Sequence, residues 1–211
     1  MNKRQIYFTS DWHLGHIASL KFDARPFKDV NHMHETLIRN YNSVVPEDGV
    51  CYFLGDMGIT KSDTVSKVVA RLNGTKILLL GNHDKGMTAM FNMGFDAVLY
   101  GAVLYICKER VTMSHCPLLG TYRENTTLME RGNPLENWHG ELRTTHNILS
   151  FKDEGQFHLH GHIHSRKGKP QSKKIEGKQY DIGVTANNYR PVSMSQIESW
   201  IAKYKLAKGI V

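Results

Sequence analysis

The segment Gln5-Ile6-Tyr7-Phe8-Thr9-Ser10-Asp11-Trp12-His13 reads as a short β-rich run that ends on a carboxylate and an imidazole two residues apart. The same arrangement recurs four times. Val50 to Leu54 runs into Gly55-Asp56, and Thr75 to Leu80 into Gly81-Asn82-His83-Asp84. Arg110 to Ser114 runs into His115-Cys116-Pro117, and Gln156 to His160 into Gly161-His162-Ile163-His164. Five strands thus deliver Asp, Asn or His at their carboxyl ends, the edge of a layered sheet where loops converge and sites form. Loops filled at random would scatter these residues instead.

Working outward, Val98 to Ile106 and Gln179 to Val184 read as two further strands. Helical patterns lie between the early strands. Met33, Leu37, Ile38 and Tyr41 share one face of the first helix, and Val65, Val68, Val69 and Leu72 one face of the second. Asn31 and Asp63 are the expected N-caps, Asn73-Gly74 ends the second helix, and Ser195 to Leu206 reads as a terminal amphipathic helix. No repeat, low-complexity tract or Pro/Gly/Ser linker divides the chain, so residues 1–211 are expected to form one α/β or α+β domain with helix-covered sheets.

Composition excludes several classes. At 211 residues, 40% hydrophobic and 22% charged, the chain is ordinary globular protein rather than a disordered tail or a fibre. Apolar runs such as Ile77 to Leu80 are far shorter than the roughly 20 residues that cross a bilayer. The N-terminus lacks the apolar stretch of a secretory signal, so a cytoplasmic location is expected. Cys51, Cys107 and Cys116 are odd in number and widely spaced, which argues for reduced thiols over disulfides or a thiolate zinc site. The net charge of +7 favours anionic partners. Arg166, Lys167, Lys169, Lys173, Lys174 and Lys178 cluster in one stretch that is more often a solvated loop than a binding surface.

Side chains at i and i+2 of an extended segment point the same way, so Asp11 with His13, and His162 with His164, can each grip a cation. Mixed imidazole and carboxylate donors suit transition metals, whereas calcium and magnesium prefer all-oxygen shells. Asp11, His13, Asp56, Asn82, His115, His162 and His164 are too many donors for one tetrahedral site. Two cations sharing one carboxylate would use them all. Such a pair clamps phosphoryl oxygens and generates a bridging hydroxide nucleophile. Asp56 follows Gly55, which permits a sharp turn, and so suits the shared position.

Asp11-x-His13, Gly55-Asp56, Gly81-Asn82-His83-Asp84, Ser114-His115-x-Pro117 and Gly161-His162-x-His164 stand in the order typical of calcineurin-like metallophosphoesterases. The chain resembles that family over residues 6 to 164. Thr9 to His16, Arg25-Pro26-Phe27, Ile182-Gly183-Val184 and Asn188 to Ser193 resemble more narrowly a branch of small bacterial and bacteriophage phosphoesterases. The resemblance implies a four-layer α/β/β/α sandwich with a dimetal site at the strand C-terminal ends. Asp11, His13, Asp56 and His164 would hold the first ion, and Asp56, Asn82, His115 and His162 the second. His83 would be a non-ligand proton donor to the leaving group, and Asp84 would orient it. One departure is that Gly55-Asp56 is followed by Met57-Gly58 where many relatives carry another acid.

Around this centre, His16 and Arg25 are candidates to bind a substrate phosphate, with an acidic partner as the alternative role of Arg25. His158 and His160 read as supporting strand histidines. Asn187, Asn188 and Arg190 are placed over the site by the resemblance alone. Trp12 and Trp138 suit packing more than stacking on a base. The polar insertion Thr121 to Thr145, with His139, is long enough to shape a pocket rim, and His146 follows it.

The expected activity is therefore dimetal hydrolysis of a phosphomonoester or phosphodiester on a small molecule or nucleotide. Manganese is the first expectation, with iron, zinc, nickel or cobalt compatible. A metal-dependent nuclease acting on DNA or RNA is the alternative, drawn from the basic stretch. A non-catalytic scaffold is disfavoured because every expected ligand position is filled, and no P-loop motif occurs.

Overall fold

A computed structural model describes residues 4–58, 62–118, 149–165 and 177–210. In chain order the elements are β1 (Ile6–Thr9), α1 (Ile17–Phe22), α2 (Val30–Asn42), β2 (Val50–Phe53), α3 (Ser62–Val69), β3 (Thr75–Leu79), α4 (Met87–Asn92) and β4 (Ala97–Leu99). They continue with β5 (Ala102–Ile106), β6 (Glu109–Met113), β7 (Phe157–His160), β8 (Gln179–Asp181), β9 (Val192–Ser193) and α5 (Met194–Ala207).

Two sheets result, ordered β4-β3-β2-β1-β9 and β5-β6-β7-β8. Strands β1 to β4 run parallel, so their carboxyl ends share one edge. In the second sheet β6, β7 and β8 are also parallel, while β5 and β6 form an antiparallel hairpin. The strands of the first sheet are apolar on both faces because both are covered. Tyr7, Cys51, Phe53, Leu78 and Val98 pack under the helices with Met33, Leu37, Tyr41, Val65, Val69 and Met90. The alternate residues Phe8, Leu54 and Leu79 face Val111, Met113, Phe157 and Leu159 of the second sheet.

The helix α5 closes the flank beside β9 and β8. Its Ile197 and Ile201 enter the inter-sheet core, and Trp200 packs edge-on against Phe157 and Tyr180. A capping box starts it, with Ser193 accepting from the Gln196 backbone and Gln196 reaching back to the Ser193 N–H. The α/β sandwich with both sheets' strand ends on one edge is the expected architecture. On the outer face of the second sheet Thr112, His158 and His160 are buried.

Some boundaries differ from expectation. Val98 to Ile106 is two strands in different sheets, because the chain crosses over at Tyr100-Gly101. A Cβ on Gly101 would lie 2.6 Å from Leu149 Cδ2 and 3.1 Å from Met113 O, so a side chain at the crossing would require Leu149 to move. The first long helix starts earlier, since Asp29 rather than Asn31 caps it by accepting from the His32 N–H. Asp63 lies inside α3, in its first turn. The last strand of the second sheet stops at Asp181, and Gly183 instead bridges to Ser10 at the end of β1. Cys51 and Cys116 are buried free thiols, with burial pushing Cys116 up to about 12, whereas Cys107 is exposed.

Candidate metal centre

Each donor sits two to four residues past a strand end, on a backbone folded sharply enough to aim it at its neighbours. Asp11, His13, Asp56, His162 and His164 all adopt positive φ, between 48° and 70°. Asp and His tolerate this left-handed region better than most residues, yet it still costs on the order of 1 kcal/mol at each. Five such residues at one spot mark a constrained site. Backbone hydrogen bonds hold the turns together: Asp11 N–H donates to Gly55 O, His13 N–H to Asp56 O and Leu14 N–H to Met57 O. Gly161 N–H donates to His115 O within the second sheet, which joins the first where His162 N–H donates to the Asp11 carboxylate.

The seven donor side chains form two clusters. In one, His13 Nε2 lies 3.0 Å from His164 Nε2, and His164 Nε2 lies 3.5 Å from Asp11 Oδ1. One ligand atom from each of Asp11, His13, Asp56 and His164 lies within 4.8 Å of all the others. In the other, Asn82 Oδ1 lies 2.8 Å from His115 Nε2 and 3.0 Å from His162 Nδ1, and the two imidazole nitrogens are 3.2 Å apart. Asp56 Oδ2 joins them, 3.6 Å from His13 Nε2 and 3.4 Å from His115 Nε2. Donors on one ion with ~2.1 Å bonds stand roughly 3.0 to 3.4 Å apart at adjacent octahedral or tetrahedral positions. The donor chemistry and spacing therefore fit two divalent cations meeting at Asp56.

Supporting contacts set the orientation of these groups. His115 Nδ1 lies 2.7 Å from the Leu54 carbonyl, an acceptor, which holds a proton on Nδ1 and turns Nε2 toward the cluster. His164 Nδ1 does the same with Asp23, 2.8 Å from Oδ2. Asp56 Oδ1 accepts the His83 N–H, which leaves Oδ2 facing the two clusters. Gly161 has no room for a side chain, since a Cβ there would run into Ser10 Oγ and the Asp11 carboxylate.

The electrostatics match a site built for positive charge. Burial alone would raise the Asp11 and Asp56 carboxyls, but the surrounding histidines outweigh it and hold both well below the usual range. Burial lowers His13 and His162 to about 3, aided by His164 and His115 respectively. Burial opposes protonation of His115 and His164 too, yet Asp56 lifts the first to about 9 and Asp11 with Asp23 lifts the second to about 10. Protons on those two rings stand where cations would otherwise balance the carboxylates.

A cleft of about 570 Å³ opens over the clusters, lined by His13, His16, Asp23, Asp56, Asn82, His83, His162 and His164 with Phe22 and Ile163. His83 is exposed at its mouth, its ring 5.6 Å from that of His13. His16 also lines it, and burial lowers its pKa. Asp84 stands elsewhere than expected. It makes no hydrogen bond to His83 among the described residues, and its carboxylate accepts the backbone N–H groups of Asp56, Met57 and Gly81 instead. Arg25 does not face the cleft. It is buried against Asp23 and donates to the carbonyls of Asp11 and Trp12, the acidic-partner alternative.

His158 and His160 are buried outside both clusters, and Trp12 is core. Asn187 and Arg190 do not line the cleft: Asn187 donates to Asp181 O and Gly183 O. Trp138, His139, His146, the Thr121 to Thr145 insertion and the basic residues from Arg166 to Lys174 lie outside the described residues. Lys178, the remaining member of that basic run, donates to Gly155 O. Asp23 and Phe22 were not singled out by the sequence. An acid and Arg25 spaced i, i+2 just after the Asp11-x-His13 turn was the signal available for Asp23.

Residues 4–182 match the model of the calcineurin-like phosphoesterase family. Over 212 residues the chain is 29% identical to the uncharacterised protein MJ1445 of Methanocaldococcus jannaschii, covering 100% of this chain and 98% of that one. Over 188 residues it is 33% identical to the Gene 66 protein of Mycobacterium phage D29, covering 86% and 88%. A solved structure, the protein of unknown function AQ665 from Aquifex aeolicus, shares the fold with a TM-score of 0.66 at 23% identity, covering 94% of this chain and 100% of that one. With the family model spanning most of its length, the chain belongs to the calcineurin-like phosphoesterase family and is a metal-dependent phosphoester hydrolase.

Proposed function

We propose that residues 1–211 act as one dimetal phosphohydrolase domain that cleaves a phosphomonoester or phosphodiester of a small molecule or nucleotide. Asp11, His13, Asp56 and His164 would hold one divalent cation, and Asp56, Asn82, His115 and His162 the other. The observation that carries this is the placement of Asp56 Oδ2 between the two clusters, 3.6 Å from His13 and 3.4 Å from His115. Two bound cations supply Lewis-acid polarisation of the phosphoryl oxygens and an activated water.

The chain's own residues do the rest. His83, exposed at the mouth with its backbone tied to Asp56, is placed to protonate the leaving oxygen. His16 faces the same space and would bind a phosphoryl oxygen, while Phe22 and Ile163 offer an apolar wall to the substituent. Asp84 serves by holding the loops that carry Asp56 and Asn82. Manganese is the favoured metal and the cytoplasm the favoured compartment; no helix of the described residues is long and apolar enough to cross a membrane.

A cleft of about 570 Å³ is the size of a small-molecule site, which ranks that substrate class first. The net charge of +7 supports nuclease action on DNA or RNA as the second reading. Mono-, di- and cyclic phosphates, nucleotides, DNA and RNA assayed with several metals decide between them. Turnover of small esters with none on nucleic acid is expected. Salt-sensitive cleavage of nucleic acid alone would reverse the order, and no metal-dependent hydrolysis of any ester would refute both.

A further inference from the structure

We propose that Asp23, held in place by Arg25, is a positioning residue that sets the metal affinity of the cluster containing Asp11, His13 and His164. The inference rests on the dimetal reading and assigns a role to residues outside the donor set. Asp23 is buried, and both its oxygens lie within 2.9 Å of His164 Nδ1. That contact keeps the proton on Nδ1 and turns the lone pair of Nε2 toward Asp11 and His13. A carboxylate behind an imidazole also raises its basicity as a ligand.

Arg25 couples this dyad to the other two donors. Its Nε lies 3.1 Å from Asp23 Oδ2, while Nη2 donates to Asp11 O at 2.8 Å and Nη1 to Trp12 O at 2.9 Å. Those carbonyls belong to the turn in which Asp11 and His13 adopt φ of 59° and 51°. One buried guanidinium therefore braces the strained turn on one side and the carboxylate behind His164 on the other. Among the described residues no hydrogen bond puts a carboxylate behind an imidazole of the second cluster: His115 is backed by the neutral carbonyl of Leu54, and the Asp84 carboxylate braces backbone N–H groups instead. The two sites consequently differ in the charge behind their imidazoles, and Asp23 is the source of that difference.

Calorimetric titration of Mn²⁺ into the metal-free full chain tests this. Wild type should show two binding events, and D23N, which keeps the volume but removes the charge, should weaken one of them by about 10- to 100-fold and leave the other unchanged. R25K should weaken the same event. Nitrogen-15 NMR of the His164 ring, assigned by through-bond correlation on wild type, supplies a readout that requires no variant to fold. It should show Nδ1 protonated in protein loaded with diamagnetic Zn²⁺, because Mn²⁺ would broaden the ring signals beyond detection. Unchanged affinities in D23N, an equal loss at both events, or a proton on Nε2 would each overturn the inference while leaving the dimetal reading intact. Absence of any Mn²⁺ binding by wild type would instead overturn both.

Discussion

The Oδ2 atom of Asp84 accepts the backbone N–H of Asp56 at 2.9 Å, so the acid that follows His83 braces the carboxylate shared by the two clusters from behind. The same carboxylate also accepts from Met57 and Gly81. An asparagine can accept with one atom only and would press an NH₂ against a backbone donor. D84N should therefore lower stability by about 1 to 3 kcal/mol through unpaired N–H groups. A thermal melt of the metal-free protein checks this. A variant with unchanged melting but reduced turnover would return Asp84 to the role of orienting His83.

Crowding at Gly161 gives a sharper test of the geometry. A methyl group there meets Ser10 Oγ and the Asp11 carboxylate, so G161A must push β7's loop away from Asp11 or displace the carboxylate itself. The expected result is a folded protein with Mn²⁺ affinity reduced at least tenfold at the Asp11 cluster. Calorimetry reads it directly, and wild-type affinity in G161A would contradict the packing.

His158 predicts part of the acid sensitivity. Its nitrogens are engaged by Thr112 and the Cys116 carbonyl, and burial lowers its pKa to about 3. Because the folded pKa lies below the unfolded value of ~6.5, its contribution to stability is fully present above pH ~6.5 and lost as pH falls toward 3. The loss amounts to about 2 kcal/mol at pH 5. His13 and His162 act in the same direction, and the raised His115 and His164 in the opposite one, so the difference between wild type and H158Q isolates this share. Denaturant titrations from pH 8 to pH 5, with chelator present, should show that difference shrinking by this amount. A constant difference would refute it.

The β5–β6 hairpin carries a turn whose residues do not suit it. Cys107 and Lys108 both have positive φ, 52° and 64°, between the paired Ile106 and Glu109. A two-residue turn with both φ positive favours Asn-Gly. Replacing Cys107→Asn together with Lys108→Gly should stabilise by about 1 kcal/mol and raise the melting temperature by roughly 2 to 4 °C. An unchanged or lower melting temperature would count against the assigned turn.

The donor residues were legible because metal chemistry admits few side chains and because Asp-x-His and His-x-His are local patterns. Their convergence followed from one regularity, ligand-type residues past strand ends. What was hidden depends on contacts between distant residues. Asp23 meets His164 across 141 positions, and no periodicity marks it. Arg25 was readable as a phosphate binder or an ion-pair partner, and only its burial behind Asp11 distinguishes the two. The strand break within Val98 to Ile106 was similarly masked. Both halves are apolar, and the change of sheet between Leu99 and Ala102 leaves no mark in that pattern.

If two cations share Asp56, metal stoichiometry must change when that carboxylate is removed. Elemental analysis after dialysis against Mn²⁺ should give two ions per wild-type chain, and no more than one in a folded Asp56→Ala variant that has also lost hydrolysis of an aryl phosphate. Two ions retained by the variant, or wild-type hydrolysis that persists after chelation, would contradict the account.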